Sequence, residues 1–251
     1  MSAKVAGRVA VVTGASKGLG KAIAIALAAD GARIALVSRD AGLLDAVAGE
    51  IAANGGEAAP FPADITSEDQ VLALEGAVAS KFGNANILIN NAGINIRRPV
   101  TGFTLEEWRS VMDTNVTSAF LMCRSFVPHM TGTGYGRIIN MASTMGHVSL
   151  PHRAAYSASK AALLGMTKAI ALELAAERIT CNTISPGPFA TEMNRALLDN
   201  PEATAQFLGS TPLGRWGKVE EVGQLAVYLC SDDAAFITGT DILIDGGWCA
   251  T

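Results

Sequence analysis

The sequence predicts an α/β fold built on a doubly wound parallel sheet, and three observations predict it. Short apolar runs of strand length alternate with longer amphipathic stretches along the whole chain. A glycine-rich turn, TGASKGLG at positions 13–20, joins the first run to the first helical stretch. No Pro/Gly/Ser-rich linker and no internal repeat interrupts the 251 residues. Together these describe a single Rossmann-type domain over 1–251, with about seven strands and helices on both faces.

The elements follow in order. Residues 8–12 read as a buried strand, a continuous apolar run without alternation, and Gly18–Ala29 as the first helix. A second strand covers 33–37. Asp40 is placed to cap the next helix, whose Leu44, Val47, Ala48 and Ile51 recur at helical spacing. A third strand at 57–61 precedes a helix over 67–82, and Ile87–Asn90 is the fourth strand. Residues 105–130 read as mostly helical, Gly136–Met141 as the fifth strand, 154–176 as a long helix and 179–184 as the sixth strand. A helix over 219–229 and a strand at 242–245 close the chain. Residues 186–217 break this rhythm: the segment is rich in Pro and Gly, with a short helical piece at 192–208. Because it lies past the C-terminal end of a strand, where open α/β sheets bind ligands, it is expected to be a small substrate lid.

Bulk properties narrow the function. A net charge of −4 argues against nucleic acid as the main partner. The four cysteines are far apart with no C-x-x-C pair, which argues against a disulfide framework or a zinc site and suits reduced thiols. The first residues lack an apolar signal core, and no apolar run reaches the roughly 18 residues needed to span a membrane. The expectation is a soluble, cytoplasmic protein without a membrane partner.

The chemistry-bearing residues lie in two groups. Tyr156 and Lys160 stand at i and i+4, on one face of the long helix, with Ser143 thirteen residues upstream. A fixed ammonium beside a phenol favours the phenolate, giving a proton donor and acceptor usable near neutral pH. The glycine turn, with Gly14, Ser16, Lys17, Gly18, Leu19 and Gly20, can hold a dinucleotide pyrophosphate at the start of a helix. Its spacing is a variant, G-x-x-x-G-x-G, and an ordinary tight turn is the alternative. At the end of the second strand, where a carboxylate would bind the ribose hydroxyls of NAD, stand Ser38 and Arg39. With Lys17 they suit an extra phosphate and favour NADP, although Arg39 as a solvated charge is also open. Asp64, followed by Ile65, is placed to accept from the adenine amino group or to cap the following helix. The small residues of Asn91, Ala92 and Gly93 let a cofactor approach the backbone.

These motifs resemble the short-chain dehydrogenase/reductase family over essentially the whole chain: TGASKGLG, NNAG at 90–93, Asn115 in NVTS, Ser143, YSASK at 156–160 and PGPFAT at 186–191. The resemblance implies that Ser143 orients the substrate oxygen and that Tyr156 exchanges the proton. It implies that Lys160 holds the nicotinamide ribose and lowers the Tyr156 pKa, and that Asn115 kinks or hydrates its helix and anchors a water relay to Lys160. Pro186, Gly187, Phe189 and Thr191 would contact the nicotinamide side, no metal is required, and a homotetramer is the usual assembly. The exposed small-residue face of the long helix (Ala161, Ala162, Leu164, Gly165, Ala169, Leu172) and Trp248 are candidates for subunit contacts, and Trp248 could equally cover the chain's own core.

The substrate side, INIRRPV after Gly93, PGPFATEM and the ending DGGWCA, is most similar to gluconate 5-dehydrogenase-type members. Arg97 is the leading candidate for a substrate carboxylate, with His147, Arg153 and Met193 nearby and each histidine alternatively a rim charge. The resulting expectation is an NADP-dependent oxidoreductase of a sugar acid or polyol. Three readings compete with it: a 3-oxoacyl-[acyl-carrier-protein] reductase, a general ketone reductase with Met145, Val148, Leu150, Met193 and Leu197 in an apolar pocket, and a non-catalytic dinucleotide-binding protein.

Overall fold

Seven parallel strands lie in one sheet in the order β3-β2-β1-β4-β5-β6-β7. They are β1 Val9–Thr13, β2 Arg33–Ser38, β3 Glu57–Pro62, β4 Ile87–Asn90, β5 Gly136–Met141, β6 Ile179–Pro186 and β7 Asp241–Ile244. The structure, a computed structural model, describes residues 3–194 and 198–250. All seven expected strands form, with ends displaced by a residue or two.

The continuous apolar runs are explained by burial on both faces. Ala10, Val12, Ile87 and Ile89 face one layer, packed with Ile23 and Leu27 of α1 (Gly18–Ala29), Leu44 of α2 (Ala41–Ala53), and Val222 of the last helix. Their strand neighbours Val9, Val11 and Leu88 face the other layer, with Val71 and Val78 of α3 (Glu68–Phe82) and with Met122 and Phe126 of α5 (Ser118–Phe126). The strand order reverses at β1, which pairs with β2 on one side and β4 on the other. That reversal opens a crevice above the C-terminal ends of these strands.

Local signals fix the helix starts. Asp40 accepts from Leu43 N at 3.0 Å and Ser67 from Gln70 N at 3.4 Å. Thr104 and Glu107 form a reciprocal box at the start of α4 (Leu105–Met112).

The helix expected over 105–130 is not continuous. Between α4 and α5 the chain widens into a π-turn, Asp113–Thr117, in which Ser118 N–H reaches back five residues to Asp113 O. A 3₁₀ turn with a proline, Val127–His129, ends the stretch. Helical periodicity alone does not reveal such a one-residue insertion.

α6 spans Ala154–Leu174. After β6 the expected lid contains a 3₁₀ turn, Glu192–Asn194, and α7, Pro201–Gly209, rather than one helical piece. A bridge between Phe189 and Gly217 closes its base. Leu197 and the side chain of Met193 lie outside the described residues. Among the described residues, no helix is long and apolar enough to cross a membrane.

α1 meets the last helix, α8 (Val219–Cys230), at very short range. A Cβ on Gly223 would stand 2.8 Å from Ala26 Cβ and 3.1 Å from Ala22 O. Gly223→Val is therefore expected to cost about 1–3 kcal/mol by overpacking this seam, measured as a lowered urea midpoint with unchanged m-value.

Candidate active site

The site begins where β1 and β4 are stitched together. Thr13 Oγ1 accepts from Asn91 N at 2.9 Å and Ala92 N at 3.1 Å, while Asn91 Nδ2 donates to Thr13 O at 2.9 Å. Gly14 has φ +64°, and a Cβ there would lie 2.8 Å from Asn91 Nδ2, so only glycine fits this crossing. A Cβ on Gly20 would be 2.3 Å from Gly14 O. Gly20 thus seats α1 against the turn and does not line the cleft, unlike the other residues expected at the cofactor.

Lys17 is the N-cap of α1 but makes no side-chain capping bond, and the first turn has no acid. The first turn of α1 therefore offers its amides at the cleft, with the Glu192 carboxylate nearby: its Oε2 is 3.7 Å from where a Cβ on Gly18 would stand.

The cleft, about 1010 Å³, runs over the strand ends from Arg39 and Asp64 on one side to Arg153 and Trp248 on the other. Asp64 accepts from Thr66 N at 3.0 Å and Thr66 Oγ1 at 2.7 Å. Those bonds hold its carboxyl below the usual range, with a smaller pull from Arg39. The cap of α3 is Ser67, so Asp64 does not serve as that cap.

At the other end Ser143, Tyr156 and Lys160 converge in the wall, each less than 9% exposed. Ser143 lies two residues past the end of β5 and caps a 3₁₀ turn, accepting from Met145 N at 3.1 Å. Lys160 donates to Met141 O at 2.6 Å. Burial is the largest influence on both titrating groups: it pushes the Tyr156 phenol up and brings Lys160 down to about 8. The Ser143 hydrogen bond and the charge of Arg153 pull the phenol back. The ammonium of Lys160, the expected activator, lies 5.6 Å from the phenol ring centroid and is engaged with the strand.

Asn115 lies behind the wall, in the π-turn, 2% exposed. It accepts from Ile94 N at 2.8 Å and donates to Ile94 O at 3.0 Å and to Ser159 Oγ at 2.9 Å. Ser159 in turn donates to Tyr156 O at 2.7 Å. The expected kink at Asn115 is present, and its direct partners are the loop after β4 and α6. Gly93 completes this corner: a Cβ there would be 3.2 Å from Asn115 Oδ1 and 3.5 Å from Lys160 Nζ.

The expected substrate residues separate. Arg153, the N-cap residue of α6, lines the cleft one turn before Tyr156. Arg97 is exposed and outside the lining, yet close enough that its charge disfavours that of Arg153. His147 does not line the cleft; its Nε2 meets Asp241 of β7 at 2.7 Å. A histidine paired with the sheet edge is a positional anchor for the loop after Ser143, which sequence spacing does not distinguish from a substrate contact.

Asn95 and Trp248 are among the lining residues that sequence reasoning does not place at the cleft. Asn95 follows the pinned Ile94, and its one signal is the polar interruption in the apolar stretch after NNAG. Trp248 reaches the cleft, where Asp245 accepts from Gly247 N at 2.9 Å and Cys249 N at 2.8 Å and folds the C-terminal turn back.

Comparison with known proteins agrees with this architecture. The family model described as enoyl-(acyl carrier protein) reductase matches residues 14–249. The chain is 41% identical to the 3-oxoacyl-[acyl-carrier-protein] reductase of Synechocystis sp., covering 96% of each protein. It is 37% identical to the gluconate 5-dehydrogenase of Gluconobacter oxydans, covering 95% of this chain and 93% of that one. The crystal structure of a gluconate 5-dehydrogenase from Burkholderia cenocepacia, in complex with NADP and tartrate, superposes with a TM-score of 0.95 at 32% identity over 100% of this chain and 98% of that one. A glycine-turn cleft and a buried Ser-Tyr-Lys wall on this sheet, together with full-length similarity at this level, place the chain in the short-chain dehydrogenase/reductase family, as an oxidoreductase acting on CH–OH and C=O groups.

Proposed function

We propose that the protein interconverts a sugar acid and its keto form with NADP(H), in the manner of a gluconate 5-dehydrogenase. The observation that carries this reading is the pair Arg153 and Arg97 beside Tyr156. Burial and the neighbouring charge both disfavour the Arg153 cation. Among the described residues, neither guanidinium has a carboxylate partner, whereas adjacent Arg98 is paired with Glu107 at 3.1 Å. A half-buried cation facing a second cation calls for an anion, and a substrate carboxylate supplies one with charge-assisted geometry. Tartrate, found in complex with the Burkholderia relative, is likewise a carboxylate.

The cleft fits the dinucleotide. The open amides of α1 suit its pyrophosphate. Lys17, Ser38 and Arg39 suit a ribose phosphate, and the carboxylates of Asp40 and Asp64 at that corner are engaged, the first in capping α2 and the second with Thr66. Bound there, the nicotinamide would give or take the hydride. Ser143 would hold the substrate oxygen, and Tyr156 would pass a proton to it in reduction or take it in oxidation. Lys160, anchored to Met141 O, would present its remaining donors to the cofactor ribose. Asn115 would fix Tyr156 and Lys160 from behind through Ser159.

A second reading, reduction of a 3-oxoacyl thioester, is favoured by one feature. A side chamber of about 470 Å³ adjoins the cleft at Met145, Leu150 and Trp248 and is also lined by Val148 and Pro212. It could take an apolar tail.

Four measurements test these assignments. Absorbance at 340 nm is expected to show NADPH oxidation by 5-keto-gluconate well above that by an acetoacetyl thioester or an aryl ketone; the reverse order would favour the second reading. Arg153→Met is expected to lower kcat/KM for the keto-acid about ten- to a hundredfold, the range for losing a charged hydrogen bond, with much less effect on a neutral ketone. The same variant moves the pH profile. Arg153 favours the phenolate, so its loss raises the Tyr156 pKa further. Oxidation needs the deprotonated phenol, and its rising limb for a neutral alcohol should therefore shift to higher pH. Finally, Lys17→Ala/Arg39→Ser is expected to raise KM for NADPH about tenfold or more while leaving NADH use within about twofold.

A further inference from the structure

Three buried polar atoms among the described residues lack a hydrogen-bond partner: Asn90 Oδ1, Asn95 Oδ1 and Thr211 Oγ1. Asn90 and Thr211 do not line the cleft; Asn95 does. A buried amide oxygen without a donor is costly, and the great majority of such atoms in folded proteins are satisfied.

The backbone that carries Asn95 is held unusually firmly. Asn115 takes both polar groups of the preceding residue, Ile94 N and Ile94 O. Immediately before that, Gly93 is confined by Asn115 and Lys160. The Asn95 side chain therefore projects from a fixed point next to the wall that holds Ser143 and Tyr156. A group mounted this rigidly is suited to recognition, since little ordering is required when a ligand meets it.

The chemistry of the missing partner follows from the amide. A carboxamide offers one acceptor and two donors, and rotation of its terminal torsion exchanges which end faces the cleft. Its natural complement is a hydroxyl, which both donates and accepts. A carboxylate could not satisfy the oxygen, and an apolar chain would leave it orphaned.

We propose that Asn95 is a specificity residue that reads a substrate hydroxyl close to the reacting carbon, selecting polyhydroxylated substrates over simple ketones. This deepens the sugar-acid reading of the cleft and rests on it for where the substrate lies, but it concerns the hydroxyls and not the carboxylate. A site built to hydrogen-bond a hydroxyl rejects the analogue lacking it far more strongly than an apolar pocket rejects an added one.

The test uses two uncharged ketones that differ only in that hydroxyl, 1-hydroxybutan-2-one and butan-2-one, so that failure of the carboxylate assignment does not decide it. kcat/KM with NADPH would be measured for the wild-type protein, Asn95→Ala and Asn95→Leu, with thermal melts to confirm folding. The wild type is expected to favour the hydroxyketone about tenfold. In both variants that advantage should fall to nearly one, the larger loss falling on the hydroxyketone. Asn95→Ser, which keeps a donor and an acceptor, should recover part of it. No preference in the wild type, an advantage that survives in the variants, or an equal loss on both ketones would overturn the proposal and give the orphan oxygen to a bound water. If both ketones turn over too slowly to measure, calorimetric binding of threitol against butane-1,4-diol to the cofactor-loaded protein reads the same difference under the same criteria. Lack of 5-keto-gluconate turnover alongside a hydroxyl preference lost in Asn95→Ala would sink the sugar-acid reading and leave this one standing.

Discussion

The active-site end of the molecule depends on one buried amide. Asn115 joins three segments distant in sequence: the loop after β4 through Ile94, the turn between α4 and α5 in which it resides, and α6 through Ser159. Burying a carboxamide is unfavourable unless its bonds are made, and here the oxygen and both amide hydrogens are used. The π-turn is the local cost, since a regular helix would aim this side chain elsewhere. In return, the positions of Gly93, Asn95, Tyr156 and Lys160 all follow from it, each being an immediate or near neighbour of a residue it holds. Replacing Asn115 by a residue of similar size but without both functions would release several parts of the wall together.

Around this amide the electrostatics oppose ionisation. Tyr156 and Lys160 are both enclosed, and enclosure disfavours phenolate and ammonium alike, raising one pKa and lowering the other. The phenol is therefore held in its neutral form, whereas Lys160, brought down to about 8, is still mostly an ammonium at neutral pH. The neighbours that favour the phenolate are Ser143, by its hydrogen bond, and Arg153, by its charge, and Arg153 is itself short of an anionic partner. Substrate charge and proton transfer are consequently linked through one side chain: an anion on Arg153 would weaken its pull on the phenol and favour the protonated form needed for reduction.

How much of this is legible in the sequence differs between the two halves of the cleft. The sheet, its seven strands and the helix caps at Asp40 and Ser67 can be read directly, because apolar runs and capping side chains are local signals. The cofactor half is similarly readable: Gly14 marks a crossing only glycine can make, and Arg39 stands at the strand end facing it. At Gly20 the close approach to Gly14 O is what excludes a side chain, and sequence shows that a side chain is forbidden but not which atom forbids it. On the substrate half, Ser143, Tyr156, Lys160 and Arg153 are brought together as their spacing suggests. His147 instead turns to Asp241 on the sheet edge, ninety-four residues away, and Trp248 returns from the far end of the chain. Neither partner choice leaves a trace in local periodicity.

The asymmetry has a structural cause. The cofactor half is formed by strand ends and the turns that leave them, where backbone geometry dictates residue type. The substrate half is assembled from loops whose shapes are set by long-range side-chain bonds: Asn115 to Ile94, His147 to Asp241, Asp245 to the C-terminal turn. Each bond can be exchanged for another without disturbing the sheet, so the same scaffold can present different walls to different carbonyls. That explains how relatives named for an acyl thioester and for a sugar acid are both about two-fifths identical to this chain over nearly its full length. On the proposed reading, the choice of substrate falls to loop side chains that line the cleft, Asn95, Arg153 and Trp248 among them.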